Sequence, residues 1–196
     1  MISFEPLREF YTQQGTRSRK SVGALLENAF MRARDIFYED ELRRYTVLYF
    51  LLGVLEHELR ARIPIALSDY AYISGELDWW DTVPQTRQNL NSISRAIRKN
   101  GDSPNGFEHH LPFSFWRYIF VGENYTTLWR ESLHTIFPRL NQPLEKRSYD
   151  QICNRIYRAY VIRNKVAHYE FMAIQKYENE KQHLLWLIKA MGGPSN

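Results

Sequence analysis

The chain has 196 residues, a formal net charge of +4, an aromatic share of 15% and a single cysteine, Cys153. One cysteine excludes an intramolecular disulfide and any zinc site built from several thiolates, and the length is enough to bury a core without either. The mild positive charge is compatible with an anionic partner and does not require one.

The N-terminal MISFEPLREF carries charge too early for a secretory signal. The longest apolar run, YTVLYFLLGVL from Tyr45 to Leu55, is too short to span a bilayer. The expectation is a soluble, cytoplasmic protein that does not enter a membrane. From Ser21 to Phe37, Val22, Leu25, Leu26, Ala29, Phe30, Ala33, Ile36 and Phe37 recur at three- and four-residue steps, which predicts a helix capped by Ser21 behind the basic TRSRK stretch. A second and longer helix is predicted over Asp40 to Ala66. Leu42, Tyr45, Leu48, Leu52, Leu55, Leu59 and Ile63 make its stripe, and Pro64 ends or kinks it. The acidic Glu39-Asp40-Glu41 suits a helix start rather than an acid–base pair.

Ile73 to Pro84 reads as a connection anchored by Trp79 and Trp80; packing is the simpler role for these rings than stacking on bases. Gln85 to Lys99 is helical, with Arg95, Arg98 and Lys99 forming a solvated basic end. NGDSPNG, residues 100–106, is the strongest loop signal in the chain. His109-His110 follow as loop residues without further ligands at metal-binding spacing. Phe113 to Phe120 and Asn124 to Phe137 predict two short helices, the second closed by Pro138. Ser148 and Gln151 have the spacing of a capping box and predict the start of the next helix. A last helix runs from about Gln175 to Met191, before Gly192-Gly193-Pro194. No segment alternates as a strand would, and no repeat is visible. The prediction is one all-α domain over residues 1–196, best supported over 39–175.

The helix after Ser148 carries YVIRNKVAHYE, residues 160–170. With Ile152 at zero on a helical wheel, Ile156, Ala159, Tyr160, Val166 and Ala167 fall within roughly 80° of it, and Arg163 falls near 20°, mid-face. Asn164 and His168 fall at about 120° and 160°, beside Tyr157 and Val161. Arg163 is therefore expected to point into the interior or into an interface. A guanidinium buried there needs a carboxylate, carbonyls or an anionic ligand. Glu56, on the inner side of the second helix, is the natural partner within a core. His168 reads either as a helix-end cap or as a proton carrier. In the second role, Arg163 would neutralise a phosphate while the imidazole moves a proton near neutral pH. Those are two of the elements of metal-free RNA cleavage by an attacking 2′-hydroxyl.

RNKVAHYE, Arg163 to Glu170, resembles the R-N-x-x-x-H signature of HEPN domains, an all-helical superfamily of mostly RNA-cleaving proteins. LPFSFWRYIF, Leu111 to Phe120, and LWRESLHTIFP, Leu128 to Pro138, resemble the blocks that precede that signature in its abortive-infection (Abi-like) branch. LEHELRARI, Leu55 to Ile63, is similar to the branch's Glu-x-x-Leu-Arg stretch on an early helix. The likeness runs from about residue 40 to 175, and the ordered set of four blocks is far more specific than R-x4-H alone. It implies a HEPN-like helical bundle that forms a two-fold homodimer. It also implies a metal-independent endoribonuclease, without cofactor or metal, used in antiviral defence or as a toxin, with RNA as substrate and an RNA or protein antitoxin as a further partner. The alternative is a HEPN-type module that binds RNA or protein without cleaving. Carried over, Arg163 and His168 are the catalytic pair and Asn164 their polar support. Glu56, Arg60 and Tyr169 stand behind them, and Lys165, Arg158 and Arg117 are RNA-contact candidates. Tyr169 stands where the family has a second His. It follows His168 directly, which does not match the His-x-Tyr that a partner nucleotidyltransferase modifies in some members.

Overall fold

A computed structural model describes residues 39–76, 78–141, 145–170 and 172–193. The helix expected over Ser21 to Phe37 lies outside the described residues. The chain divides into two compact units, 1–44 and 45–196. Among the described residues every regular element is helical: α1 (Glu39–Ser74), α2 (Arg87–Lys99), α3 (Phe113–Ile119), α4 (Leu133–Ile136), α5 (Lys146–Ala167) and α6 (Ile174–Ala190). Short 3-10 turns occupy Trp79–Asp81, Phe107–His110 and Gly122–Asn124, and one π-helical turn spans Tyr125–Trp129. No helix among the described residues is long and apolar enough to cross a membrane.

Helix α1 continues through Pro64 for ten more residues, instead of ending near Ala66. A proline inside a helix removes one hydrogen bond and costs about 3 kcal/mol. Here the apolar stripe resumes beyond it: Ala66, Leu67 and Ala71 are as buried as Leu55, Leu59 and Ile63 before it. Tertiary burial on both sides outweighs the local defect. Helix α2 starts as its sequence dictates. The Thr86 side chain accepts from the Asn89 amide at 3.2 Å, and Arg98 and Lys99 sit in its last turn. The 100–106 loop is a turn cluster in which the Asn100 side chain donates to the carbonyls of Ser103 and Asn105.

The aromatic blocks are core. Trp79 stacks on Phe107 at 5.7 Å and on Trp116 at 6.3 Å, and Phe120 stacks on Trp129 at 4.3 Å. The Trp129 indole and the Asn124 amide both donate to the Ile119 carbonyl. Two buried donors converging on one carbonyl fix the break between α3 and the next segment. The single helix expected over Asn124 to Phe137 is therefore split into a π turn and the short α4.

Helix α5 packs against α3, the 122–129 segment and α6. It begins at Lys146, two residues before the expected Ser148 start. The capping box does not form: the Ser148 hydroxyl donates to the Asn141 carbonyl, and the Glu145 carbonyl accepts from the Ser148 and Tyr149 amides. Tyr149, fully buried with its hydroxyl on the Val121 carbonyl at 2.6 Å, must already be helical to reach the core.

Candidate functional site

The C-terminal half of α5 carries Arg163, Asn164, Lys165 and Val166, and the helix ends at Ala167 with His168 as its cap. Its buried residues are Tyr149, Ile152, Ile156, Ala159, Ile162 and Val166. On an ideal wheel they run from about 60° and 40° (Tyr149, Ile156) to about −40° and −80° (Val166, Ile162). The contact face thus rotates by roughly 100° along the helix, as it does when a straight helix crosses its neighbours at an angle. The position near 20° leaves the core in the process, and Ile162 takes its place. Arg163 is exposed. Of the two expected settings, the interior is excluded and an interface is left. Leaving a permanent cation in water avoids a desolvation cost of several kcal/mol.

The core ion pair expected between Glu56 and Arg163 is likewise replaced. Glu56 accepts from Arg60 on its own helix at 2.6 Å, both side chains being about a quarter exposed. Arg60 also donates to the Leu111 carbonyl at 3.0 Å. Glu56 and Arg60 therefore join α1 to the start of the LPFSFW block. Among the described residues, no carboxylate lies within ion-pair distance of Arg163.

The outward face of α5 near its end consists of exposed Arg163, Ala167 and His168, with half-buried Tyr160 and Asn164 between them. These five fall within about 140° of one another on the wheel. The helix end that presents them is closed by a complete double turn. The Tyr169 amide donates to the Val166 carbonyl at 3.2 Å and the Glu170 amide to the Lys165 carbonyl at 3.0 Å, the two bonds of a Schellman motif. Tyr169 occupies its left-handed position at φ 51°. The Tyr45 hydroxyl of α1 donates to the Glu170 carbonyl, and the Tyr45 and Tyr169 rings meet at 6.1 Å. His168 is thus held from both sides in sequence, with its imidazole in solvent.

The flanking cations differ. The nearness of Lys165 to Lys176 of α6, two like charges side by side, holds Lys176 below the usual lysine range. Arg158 is neutralised by Glu180 at 2.7 Å. Arg117 of α3 lies over the rings of Tyr118 at 4.4 Å and Tyr157 at 5.0 Å, which attaches a cation to the exposed Tyr157 of α5. His109 and His110 are exposed on a 3-10 turn. Among the described residues, no three His, Cys, Asp or Glu side chains gather as metal ligands.

One buried polar group carries no motif in the sequence. Glu180 and His183 sit in the buried stripe of α6 with Tyr177, Leu184 and Leu187. Their three-residue spacing at apolar positions is the available signal, and the arginines that answer them, Arg158 and Arg155, share that spacing on α5. His183 Nε2–H donates to the Arg155 carbonyl at 2.9 Å, so Nδ1 is free to accept from the Arg155 guanidinium at 3.3 Å. Burial, with the charges of Arg158 and Arg155, holds His183 below the usual histidine range despite the bond to the Arg155 carbonyl.

Protein-family models, curated proteins and solved structures were compared with the chain, and none matches it.

Proposed function

We propose that the chain is a metal-independent endoribonuclease acting as a homodimer, with Arg163 and His168 at its reacting centre and Asn164 beside them. The observation that carries this reading is the outward face of α5: an exposed guanidinium without a carboxylate partner among the described residues, and an exposed imidazole five residues on. The resemblance of the four sequence blocks to the Abi-like HEPN branch supplies the reaction class, and with it a role as toxin or antiviral effector.

In the step proposed, a neutral His168 takes the proton of a ribose 2′-hydroxyl, and the 2′-oxygen attacks the adjacent phosphorus. Arg163 neutralises the charge that gathers on the non-bridging oxygens. The bond from phosphorus to the 5′-oxygen breaks, and that oxygen takes a proton from a protonated imidazole, the second copy's His168. The products are a 2′,3′-cyclic phosphate and a 5′-hydroxyl.

The test is incubation of the purified protein with end-labelled RNA in excess EDTA. Cleavage should persist and leave cyclic phosphate ends. His168→Ala should lower the rate by about two to four decades while the melting temperature holds, since this side chain is in solvent. Full activity in His168→Ala, or strict dependence on a divalent cation, would overturn the assignment. Binding of RNA without cleavage would favour the non-catalytic module instead.

A further inference from the structure

A second site lies away from Arg163 and His168, around Arg155 on the part of α5 nearer its middle. A cleft of about 930 Å³ opens between the Phe50–Val54 stretch of α1, the Arg155–Arg158 turn of α5 and the Asn179–Lys189 stretch of α6. Among the described residues that line it, none is acidic and three are basic: Arg155, Arg158 and Lys189. Pockets for small ligands span roughly 300–1,000 Å³ and combine apolar walls with a few fixed polar groups, and this cleft has both.

Arg155 is the group that calls for a ligand. Its guanidinium lies over the Trp186 ring at 4.0 Å and is held by the neutral nitrogen of His183 at 3.3 Å. Its neighbour Arg158 has Glu180 at 2.7 Å, whereas no carboxylate among the described residues comes within ion-pair distance of Arg155. Partial burial and the charge of Arg158 both work against its cation. A guanidinium positioned by a ring and an imidazole, without a counter-ion, matches an incoming phosphate in geometry and charge. Phe50 and Val54 of α1 and Trp186 of α6 supply apolar and aromatic walls. The amides of Asn179 and Gln182 offer donors and acceptors of the kind that read a base edge.

We propose that this cleft binds a nucleoside phosphate, with the phosphate on Arg155 and the base against the Phe50 and Trp186 walls. The site is separate from the α5 face that carries His168, and it does not depend on that face being catalytic.

The experiment is isothermal titration of the full chain with the four 5′-ribonucleoside monophosphates, and with inorganic phosphate and the free nucleosides as half-ligands. At least one monophosphate should bind at least tenfold more tightly than either of its halves. Arg155→Met should weaken that binding tenfold or more, and Arg95→Ala, on an exposed position of α2, should leave it unchanged. Arg155 also packs on Trp186, so its variant is checked by melting temperature. The exposed Lys189→Ala provides an independent arm, and should weaken binding several-fold without touching the core. The proposal is overturned if no monophosphate binds. It is also overturned if phosphate alone binds as well as the nucleotide, or if Arg163→Ala abolishes binding while Arg155→Met and Lys189→Ala retain it. The last result would move the nucleotide to the α5 face.

Discussion

Tyr169 is in a conformation that most residues avoid. At φ 51° it holds the left-handed position of the helix-ending turn, where glycine is the usual occupant and a residue with a Cβ costs about 1–2 kcal/mol. Contact with the Tyr45 ring offsets part of this cost. Tyr169→Ala keeps the strain and loses the contact, so it should destabilise the fold by about 1 kcal/mol. Tyr169→Gly loses the same contact but relaxes the backbone, and should be more stable than the alanine variant by about 1 kcal/mol. Urea unfolding of the two variants checks the order; an alanine variant equal to or above the glycine variant would show that the turn is not strained. The αL position was not legible in the sequence, because Tyr is a poor marker for it and a Gly or Asn would have been the signal. The cap at His168 was legible as one of two roles, and the two are compatible: the backbone of His168 closes the helix while its side chain stays available.

At the level of elements, the pairing of Glu56 changes what its removal should do. Inside a core, loss of one partner of an ion pair costs roughly 3–5 kcal/mol. Glu56 instead makes a part-exposed pair one helical turn from Arg60, and such pairs are worth at most about 1 kcal/mol. Arg60 keeps its bond to the Leu111 carbonyl without Glu56. Glu56→Gln should therefore cost about 1 kcal/mol or less, read from the shift in unfolding midpoint. A loss above 3 kcal/mol would mean that Glu56 holds something deeper. Helix periodicity identified α2, α3 and α6 to within two residues and the aromatic blocks as core, since those patterns answer to a single packing surface. It misplaced Arg163 as a core residue because a wheel assumes a fixed contact face. On α5 that face turns, and Ile162 displaces the arginine. It failed at Ser148 because a fully buried tyrosine one residue later overrides a local cap, and at Pro64 because the stripe beyond it is buried.

On the scale of the whole molecule, a single chain offers one imidazole and one cation at the proposed centre, about five residues or 7.5 Å apart along the helix axis. A two-fold axis against the outer face of α5 would supply the second set, with each helix meeting its own copy in an isologous contact. Tyr157, Tyr160 and Val161 are the apolar candidates there. Tyr157 is exposed and carries Arg117 against its ring, and the other two are half-buried. Sedimentation velocity should show a concentration-dependent dimer. Tyr157→Glu should weaken association at least tenfold and depress cleavage in parallel, with the melting temperature of the monomer little changed. A monomer that cleaves RNA at a rate linear in protein down to nanomolar levels would remove the dimer from the mechanism.

The aromatic packing gives the molecule a built-in optical division. Trp79 lies 5.9 Å from Trp80 at 78° and 6.3 Å from Trp116, close enough for their transition dipoles to couple, and Trp129 is stacked on Phe120. Their near-ultraviolet circular dichroism therefore reports on the packing of the core between Trp79 and Trp129. The fifth tryptophan, Trp186, stands apart in the cleft with a guanidinium on its face, half-buried rather than enclosed. Its emission can change when the cleft fills while the dichroism of the other four stays constant, so one unlabelled sample separates ligand entry from loss of the core.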